Sequence, residues 1–155
     1  MVHTAVSTGV AFGILFVAVG ASFYYASGNP VTVTVTGEPW AGFDGVTVTP
    51  QIAQDQSLAE ARGVLVTVVT PNSPADRAGL RAIERVDEID GRKVPVGGDV
   101  IIAIDGRQID VREDIRAALA DKHVGDRVTF TVLRNSGSVS ANLTITLGER
   151  PQGAQ

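Results

Sequence analysis

The chain has 155 residues, a net charge of −4 from 13 basic and 17 acidic side chains, and no cysteine. That acidic balance, with no basic patch and no aromatic-plus-arginine stripe, argues against a nucleic-acid partner. Without cysteine there is neither a disulfide framework nor a thiolate metal site, and no paired-histidine spacing or calcium-type acidic loop takes their place, so no cofactor or metal is expected.

From Met1 to Gly37 there is no Asp, Glu, Lys or Arg, and the first charged side chain is Glu38. Ala5 to Ala26 is apolar or small at almost every position. At 1.5 Å per residue such a run covers the ~30 Å of a bilayer core. Tyr24 and Tyr25 sit at one end, where amphipathic rings suit the headgroup level. The stretch predicts one N-terminal transmembrane helix, a retained anchor over residues 1–28. A cleaved signal peptide would need a basic n-region, which the α-amino group and His3 do not supply. Residues 29–38 read as a linker or stalk. In it Val31 to Thr36 alternate at strand period, an exposed edge expected to pair with the domain or a partner. With no Lys or Arg on either flank, only the α-amino group speaks to orientation, and it favours an inside N-terminus. A single-pass cell-membrane protein with an extracytoplasmic domain is the expectation.

The rest of the chain is enough for one domain of ordinary size. Trp40 to Val48 reads as a loop and first strand, and Thr49-Pro50 starts a short helix to about Ser57. Gly63 to Val69 is unbroken and apolar, hence a central strand. In Asn72 to Leu80, Ser73 caps a helix, Pro74 takes its first position, and Asp76 sits at the positive dipole end. Gly79 supplies the left-handed stop and Leu80 the apolar contact after it. Val86 to Val94 predicts a hairpin through Asp90-Gly91, and Val100 to Ile104 a buried strand closed by Asp105-Gly106. The echo of Ile89-Asp90-Gly91-Arg92 in Ile104-Asp105-Gly106-Arg107 indicates two similar turns rather than a structural repeat. Asp110, with Glu113 three residues on, predicts a capping box for the main helix, whose apolar face is Val111, Ile115, Ala118 and Leu119. Lys122, His123 and Gly125 are its stop signal. A last hairpin, Arg127 to Leu133 and Val139 to Leu147, turns at Asn135-Ser136-Gly137, and residues 151–155 are a tail. The expected fold is α+β, a small partly open β-barrel with two or three helices.

Two of these pieces, Ser73 to Leu80 and Gly98 to Gly106, read SPA-x-x-AGL and GD-x-I-x-x-I-x-G. In this, residues 39–150 resemble the PDZ domain of HtrA/Deg-type serine proteases. The resemblance implies a peptide groove between a strand edge and a helix. The loop of that groove carries an aromatic–aliphatic–Gly–aliphatic signature, matched here by Trp40-Ala41-Gly42-Phe43. It implies that main-chain N–H groups of this loop take a terminal carboxylate, with Gly42 allowing close approach. Phe43 to Val48, including Asp44, Gly45 and Val46, would pair with the ligand, and the helix carrying Ile115, Ala118 and Leu119 would form the opposite wall. Ala41 stands where a larger Leu or Ile is usual, implying a wider or shallower pocket. Gly45 weakens the pairing strand and predicts a bulge or a close backbone contact. Spacing alone would equally make Trp40, Phe43, Ile115 and Leu119 plain core.

The resembled proteases raise the question of catalysis. A serine nucleophile needs a histidine base and an orienting carboxylate in contact with it. The only histidines are His3, ahead of the apolar span, and His123, and Ser136 lies in a run of ordinary turn residues. The sequence has no room before residue 39 for a two-barrel protease domain, so no enzyme is expected. The expected function is a membrane-tethered protein that binds C-termini or exposed extended peptides of other proteins by β-strand addition. Two alternatives stand beside it. One is a non-catalytic accessory subunit of a membrane protein complex, its groove unused or filled by a partner. The other is the remnant of a membrane-anchored HtrA-like protease.

Overall fold

The computed structural model describes residues 37–151 throughout and, ahead of them, the backbone of four strands, β1 (Thr4–Thr8), β2 (Leu15–Val19), β3 (Ser22–Tyr24) and β4 (Pro30–Val31). The chain divides into two compact units, Met1–Gly37 and Glu38–Gln155.

In the first unit the strands pair antiparallel in the order β1-β2-β3-β4, with Val17 opposite both Val6 and Tyr24. This corrects the expected helix over residues 1–28, since no helix among the described residues is long and apolar enough to cross a membrane. Hydropathy does not separate a helix from apolar strands, and two features of this run favour strands. Its Val, Thr, Phe and Tyr are strand formers, and Gly9, Gly13 and Gly20 interrupt helix propagation. The other residues of the expected span, most of the alternating stalk and residues 152–155 of the tail lie outside the described residues.

The second unit is α+β, an open sheet with three helices. After β5 (Pro39–Trp40) come β6 (Phe43–Thr47), α1 (Pro50–Asp55), β7 (Val64–Val69) and α2 (Pro74–Arg77). Next are the hairpin β8 (Ile83–Ile89) and β9 (Arg92–Gly97), then β10 (Val100–Ile104), β11 (Arg107–Gln108) and α3 (Arg112–Leu119). The last hairpin, β12 (Arg127–Arg134) and β13 (Val139–Thr146), is followed by β14 (Gly148–Glu149). The main sheet runs β13-β12-β10-β7-β6, with β11 on β10; β14 pairs β5, and β8 pairs β9.

Local chemistry sets most boundaries. Thr49 caps α1 by accepting from Ile52 N–H at 3.2 Å, with Pro50 at the first helical position. Ser73 Oγ does the same for α2, accepting from Asp76 N–H at 3.2 Å. The end of α2 is a complete Schellman closure: Leu80 N–H donates to Ala75 O, Gly79 N–H donates to Asp76 O, and Gly79 has φ +84°. Asp90-Gly91 and Asp105-Gly106 both have positive φ at each residue, two turns of one type joining different strand pairs. The first of these hairpins is longer than expected, beginning at Ile83 and ending at Gly97.

β7 is central, and its Val64, Leu65 and Val66 are fully buried. Val64 and Val66 pack with Phe130, Ile101 and Ile115 in the larger cluster, while Leu65 packs with Val48, Ala53 and Val100 in a smaller one covered by α1. Consecutive residues feeding opposite clusters is the period-2 pattern of a strand buried on both faces. The Gly-Asp of the second motif is structural. Asp99 is 1% exposed, takes Arg134 in two hydrogen bonds of 2.8 and 2.9 Å, and accepts from Arg81 N–H at 3.0 Å. It thereby fastens the start of β10 to the end of β12 and to the segment after α2.

Candidate functional site

Within the sheet order, β6 is the last strand, and its only partner among the described residues is β7. Gly42 O accepts from Thr70 N–H at 2.9 Å, so Phe43 and Val69 face each other as a non-hydrogen-bonded pair. The Phe43 N–H and C=O therefore point to the outer edge. Beyond that edge runs α3, and between the two lies a groove of about 450 Å³.

The loop at the head of β6 is held from behind. Ala41 O accepts from Ala75 N–H at 2.8 Å, and Gly42 O accepts both Thr70 N–H and the Ser73 hydroxyl, the latter at 3.1 Å. These bonds turn the loop carbonyls toward α2. The Ala41 and Gly42 N–H groups donate to no other group among the described residues. A run of unpaired main-chain donors beside a groove is a receptor for an anion. Gly42 has φ +88°, and a Cβ there would lie 2.1 Å from Ser73 Cβ. The glycine is thus demanded by the fold as well as by any ligand.

Gly45 behaves as its position suggested: the register of β6 on β7 shifts between Asp44 and Gly45, and a Cβ would meet Val64 Cγ1 at 2.6 Å and Leu65 O at 2.7 Å. The other wall is built from α3. Its start is one residue later than expected, because the cap is Val111, which has no acceptor. Asp114 instead reaches back to the N–H groups of Asp110 and Val111 at 2.9 and 3.0 Å, which hold its carboxyl below the usual carboxylate range. Thr47 Oγ1 accepts from Arg112 N–H at 3.1 Å, so the end of β6 itself caps the helix and fixes the groove width.

All the expected site residues except Val46 and Ala118 line this groove: Trp40, Ala41, Gly42, Phe43, Asp44 and Gly45 on one side, Ile115 and Leu119 on the other. Val46 is 42% exposed and points away, and Ala118 is buried in the larger cluster. Phe43 belongs to both groove and core, its ring edge-on to Phe130 at 5.8 Å. Val111, expected on the apolar face, is exposed at the cap.

The sequence reading missed the charges. Arg112, Arg116 and Arg150 line the groove with Glu38. Arg112 meets Asp44 at 3.3 Å and Arg150 meets Glu38 at 3.8 Å. Arg112, Ile115, Arg116 and Leu119 follow i, i+3, i+4, i+7 spacing, one helix face that a search for apolar residues alone passes over. Arg150 arrives because β14 pairs β5, with Gly148 opposite Trp40.

Elsewhere, Ser136 sits at φ +57° in the β12–β13 turn. His123 lies beyond the end of α3 rather than in its last turn, where its N–H donates to the Asp126 carboxylate at 2.8 Å. No group of metal-ligating side chains occurs among the described residues.

Comparison with known proteins bears on this arrangement. The sequence pattern of the PDZ domain matches residues 42–145. Over 103 residues the chain is 35% identical to Protease Do-like 1, chloroplastic, of Arabidopsis thaliana, covering 65% of this chain and 22% of that protein. Over 104 residues it is 28% identical to the periplasmic serine endoprotease DegP of Escherichia coli K12, covering 67% of this chain and 19% of DegP. The chain thus spans about a fifth of the length of these relatives. Among solved structures, the HtrA-type protease AlgW with decapeptide superposes with a TM-score of 0.58 at 29% identity, covering 74% of this chain and 30% of that one. The HtrA3 PDZ domain bound to a phage-derived ligand shares the fold, with a TM-score of 0.52 at 21% identity over 70% of this chain and 84% of that one.

Proposed function

Since the chain belongs to the PDZ domain family, we propose that it binds the C-termini or exposed extended segments of other proteins by adding them as a strand to β6. The ligand's last side chain enters between Phe43, Ile115 and Leu119, and its carboxylate meets the Ala41, Gly42 and Phe43 N–H groups. The observation that carries this reading is the pairing of an open strand edge with unpaired loop donors at one end of the same groove. HtrA-family structures with bound peptides support it by likeness.

In this reading the chain binds peptides and does not cut them. Ser136 and His123 lie in different turns, and the family pattern that the chain matches, over residues 42–145, is that of the PDZ domain. The stretch from Met1 to Gly37 tethers the domain to a cell membrane, a reading supported by its having no Asp, Glu, Lys or Arg, the side chains whose charge is costliest to desolvate in lipid. The domain then works on the extracytoplasmic side.

Hydrogen exchange on the full chain, with and without a mixture of short free-acid peptides, tests the groove. Slowed exchange confined to residues 41–45 and α3 supports strand addition at β6. Slowing elsewhere, or none at saturating peptide, contradicts it. For the tether, carbonate extraction of membranes must leave the full chain in the pellet.

A further inference from the structure

The main sheet has a second open edge at β13, and we propose that two copies of this chain join there, antiparallel about a twofold axis at Leu143.

The hydrogen-bond phase of that edge follows from β12. Thr129 N–H donates to the Asp105 carboxylate at 2.7 Å, and Thr129 C=O accepts from Asp105 N–H at 2.8 Å, so both its main-chain groups face β10. Alternation then turns Val128, Phe130, Val132 and Arg134 toward β13, where they meet Ile145, Leu143, Ala141 and Val139. Leu147, whose N–H donates to Asp126 O, continues the same phase. The residues between, Ser140, Asn142, Thr144 and Thr146, therefore point their N–H and C=O groups outward. There they have no partner among the described residues, since β13 pairs with β12 alone. The neighbouring α2 shares the larger cluster with Ala141, Leu143 and Ile145 and bonds to none of the outward groups.

A strand edge left in water is ordinarily blunted by charge, proline or a bulge. At the opposite end of the sheet β6 has such devices, a register shift at Asp44–Gly45 and α3 alongside. β13 has none. Its eight residues pair with β12 from Arg127–Thr146 to Arg134–Val139 without a register shift. Asn135 to Gly148 carries neither charge nor proline, although all 13 basic and 17 acidic side chains fall after Gly37.

Complementarity names the occupant. The side chains of Ser140, Asn142, Thr144 and Thr146 are all exposed, so the domain frames no pocket there for a loose peptide. A second β13 arrives already ordered and loses little entropy on pairing. The twofold at Leu143 sets Ser140 against Thr146 and Asn142 against Thr144, hydrogen-bonded pairs that use every outward group. Hydroxyl and amide side chains then face one another, and no charge meets a like charge. On the inner face the two half-buried Leu143 side chains meet at the axis and cover each other. The joined sheet is continuous, with β6 free at both ends, so on the groove reading above the dimer offers two peptide sites.

The test takes the full chain in detergent micelles through a concentration series by sedimentation equilibrium in density-matched buffer. The expected mass is that of two chains, falling to one on dilution. Hydrogen exchange read residue by residue should slow at Ser140, Asn142, Thr144 and Thr146 as the dimer forms, while Ala141 and Leu143 stay slow throughout. Asn142→Lys with Thr144→Lys sets like charges against each other and should weaken association at least about tenfold. Asn142→Asp with Thr144→Asp should do the same, and mixing the two variants should restore the pair. Unchanged far-ultraviolet circular dichroism shows that the variants are folded. A parent chain of single mass at every concentration overturns the proposal, and slow exchange at the four residues would then give the edge to another segment of the same chain. A dimer that both variants leave intact overturns it too and puts the contact elsewhere.

Discussion

Gly42→Ala should damage the site from behind rather than from the ligand side. Two costs add. A left-handed φ of +88° costs a residue with a Cβ about 1–2 kcal/mol. The new methyl would lie 2.1 Å from Ser73 Cβ and 2.6 Å from Ser73 Oγ, so the loop and α2 must part, an overpacking cost of about 1–3 kcal/mol. A total near 2–5 kcal/mol follows, together with weaker peptide binding as the Ala41 and Gly42 N–H groups are turned. The cause can be isolated with Ser73→Gly. Alone it costs about 1 kcal/mol, losing the hydroxyl bond to Gly42 O but little as a cap. Combined with Gly42→Ala it removes the collision and leaves only the backbone strain. The double variant should therefore be more stable than the sum of the singles by about 1–3 kcal/mol. Urea denaturation measures this, and the single tryptophan, Trp40 beside the loop, reports local rearrangement through its emission. Additive costs, or a Gly42→Ala chain as stable as the parent, would refute the packing argument.

Asp99→Ala removes the buried carboxylate, strips the half-buried Arg134 guanidinium of its partner and leaves the Arg81 N–H unmatched, and should cost about 3–5 kcal/mol in urea unfolding; a loss under about 1 kcal/mol would show the pair to be dispensable. Asp105 and Asp114 are both held below their ordinary range, Asp105 by the Thr129 N–H and then Lys122, Asp114 by the Asp110 and Val111 N–H groups. The unfolded chain thus takes up these protons first, so their stabilisation is full above the unfolded value of about 3.9 and is lost as pH falls through the folded ones. Asp105→Asn with Asp114→Asn should flatten the acid limb of the stability profile, and an unchanged limb would contradict the assignment. Ser136→Ala and His123→Ala should leave peptide binding unchanged, and a purified sample should release no fragments from casein; activity abolished by Ser136→Ala would overturn the non-catalytic reading.

How far the sequence could be read depended on the distance over which each feature is determined. The α2 cap and its Schellman end need only Ser73 to Leu80, and both Asp-Gly turns need two residues, so all were legible. The start of α3 was not. Asp110 is a good cap by type, but Asp114 bonds back across it and Thr47, far away in sequence, supplies the missing acceptor, which together move the cap to Val111. Long-range pairing likewise brought Arg150 to the groove and tied Asp99 to Arg134. In the loop, Trp40 to Phe43 was found by resemblance, yet the contact of Gly42 with Ser73 was invisible, since it depends on how α2 packs behind the strand. The first 37 residues show the reverse limit: composition set their apolar character, whereas the strands among them depend on which segment pairs with which.

The central claim is that the Trp40–Phe43 loop receives a terminal carboxylate beside the open edge of β6. Calorimetry of the full chain with one peptide as free acid and as C-terminal amide addresses it most directly. Loss of a charge-assisted hydrogen bond to the loop N–H groups should weaken the amide by about 1.5–3 kcal/mol, roughly ten- to a hundredfold. Equal affinity of acid and amide would contradict the claim.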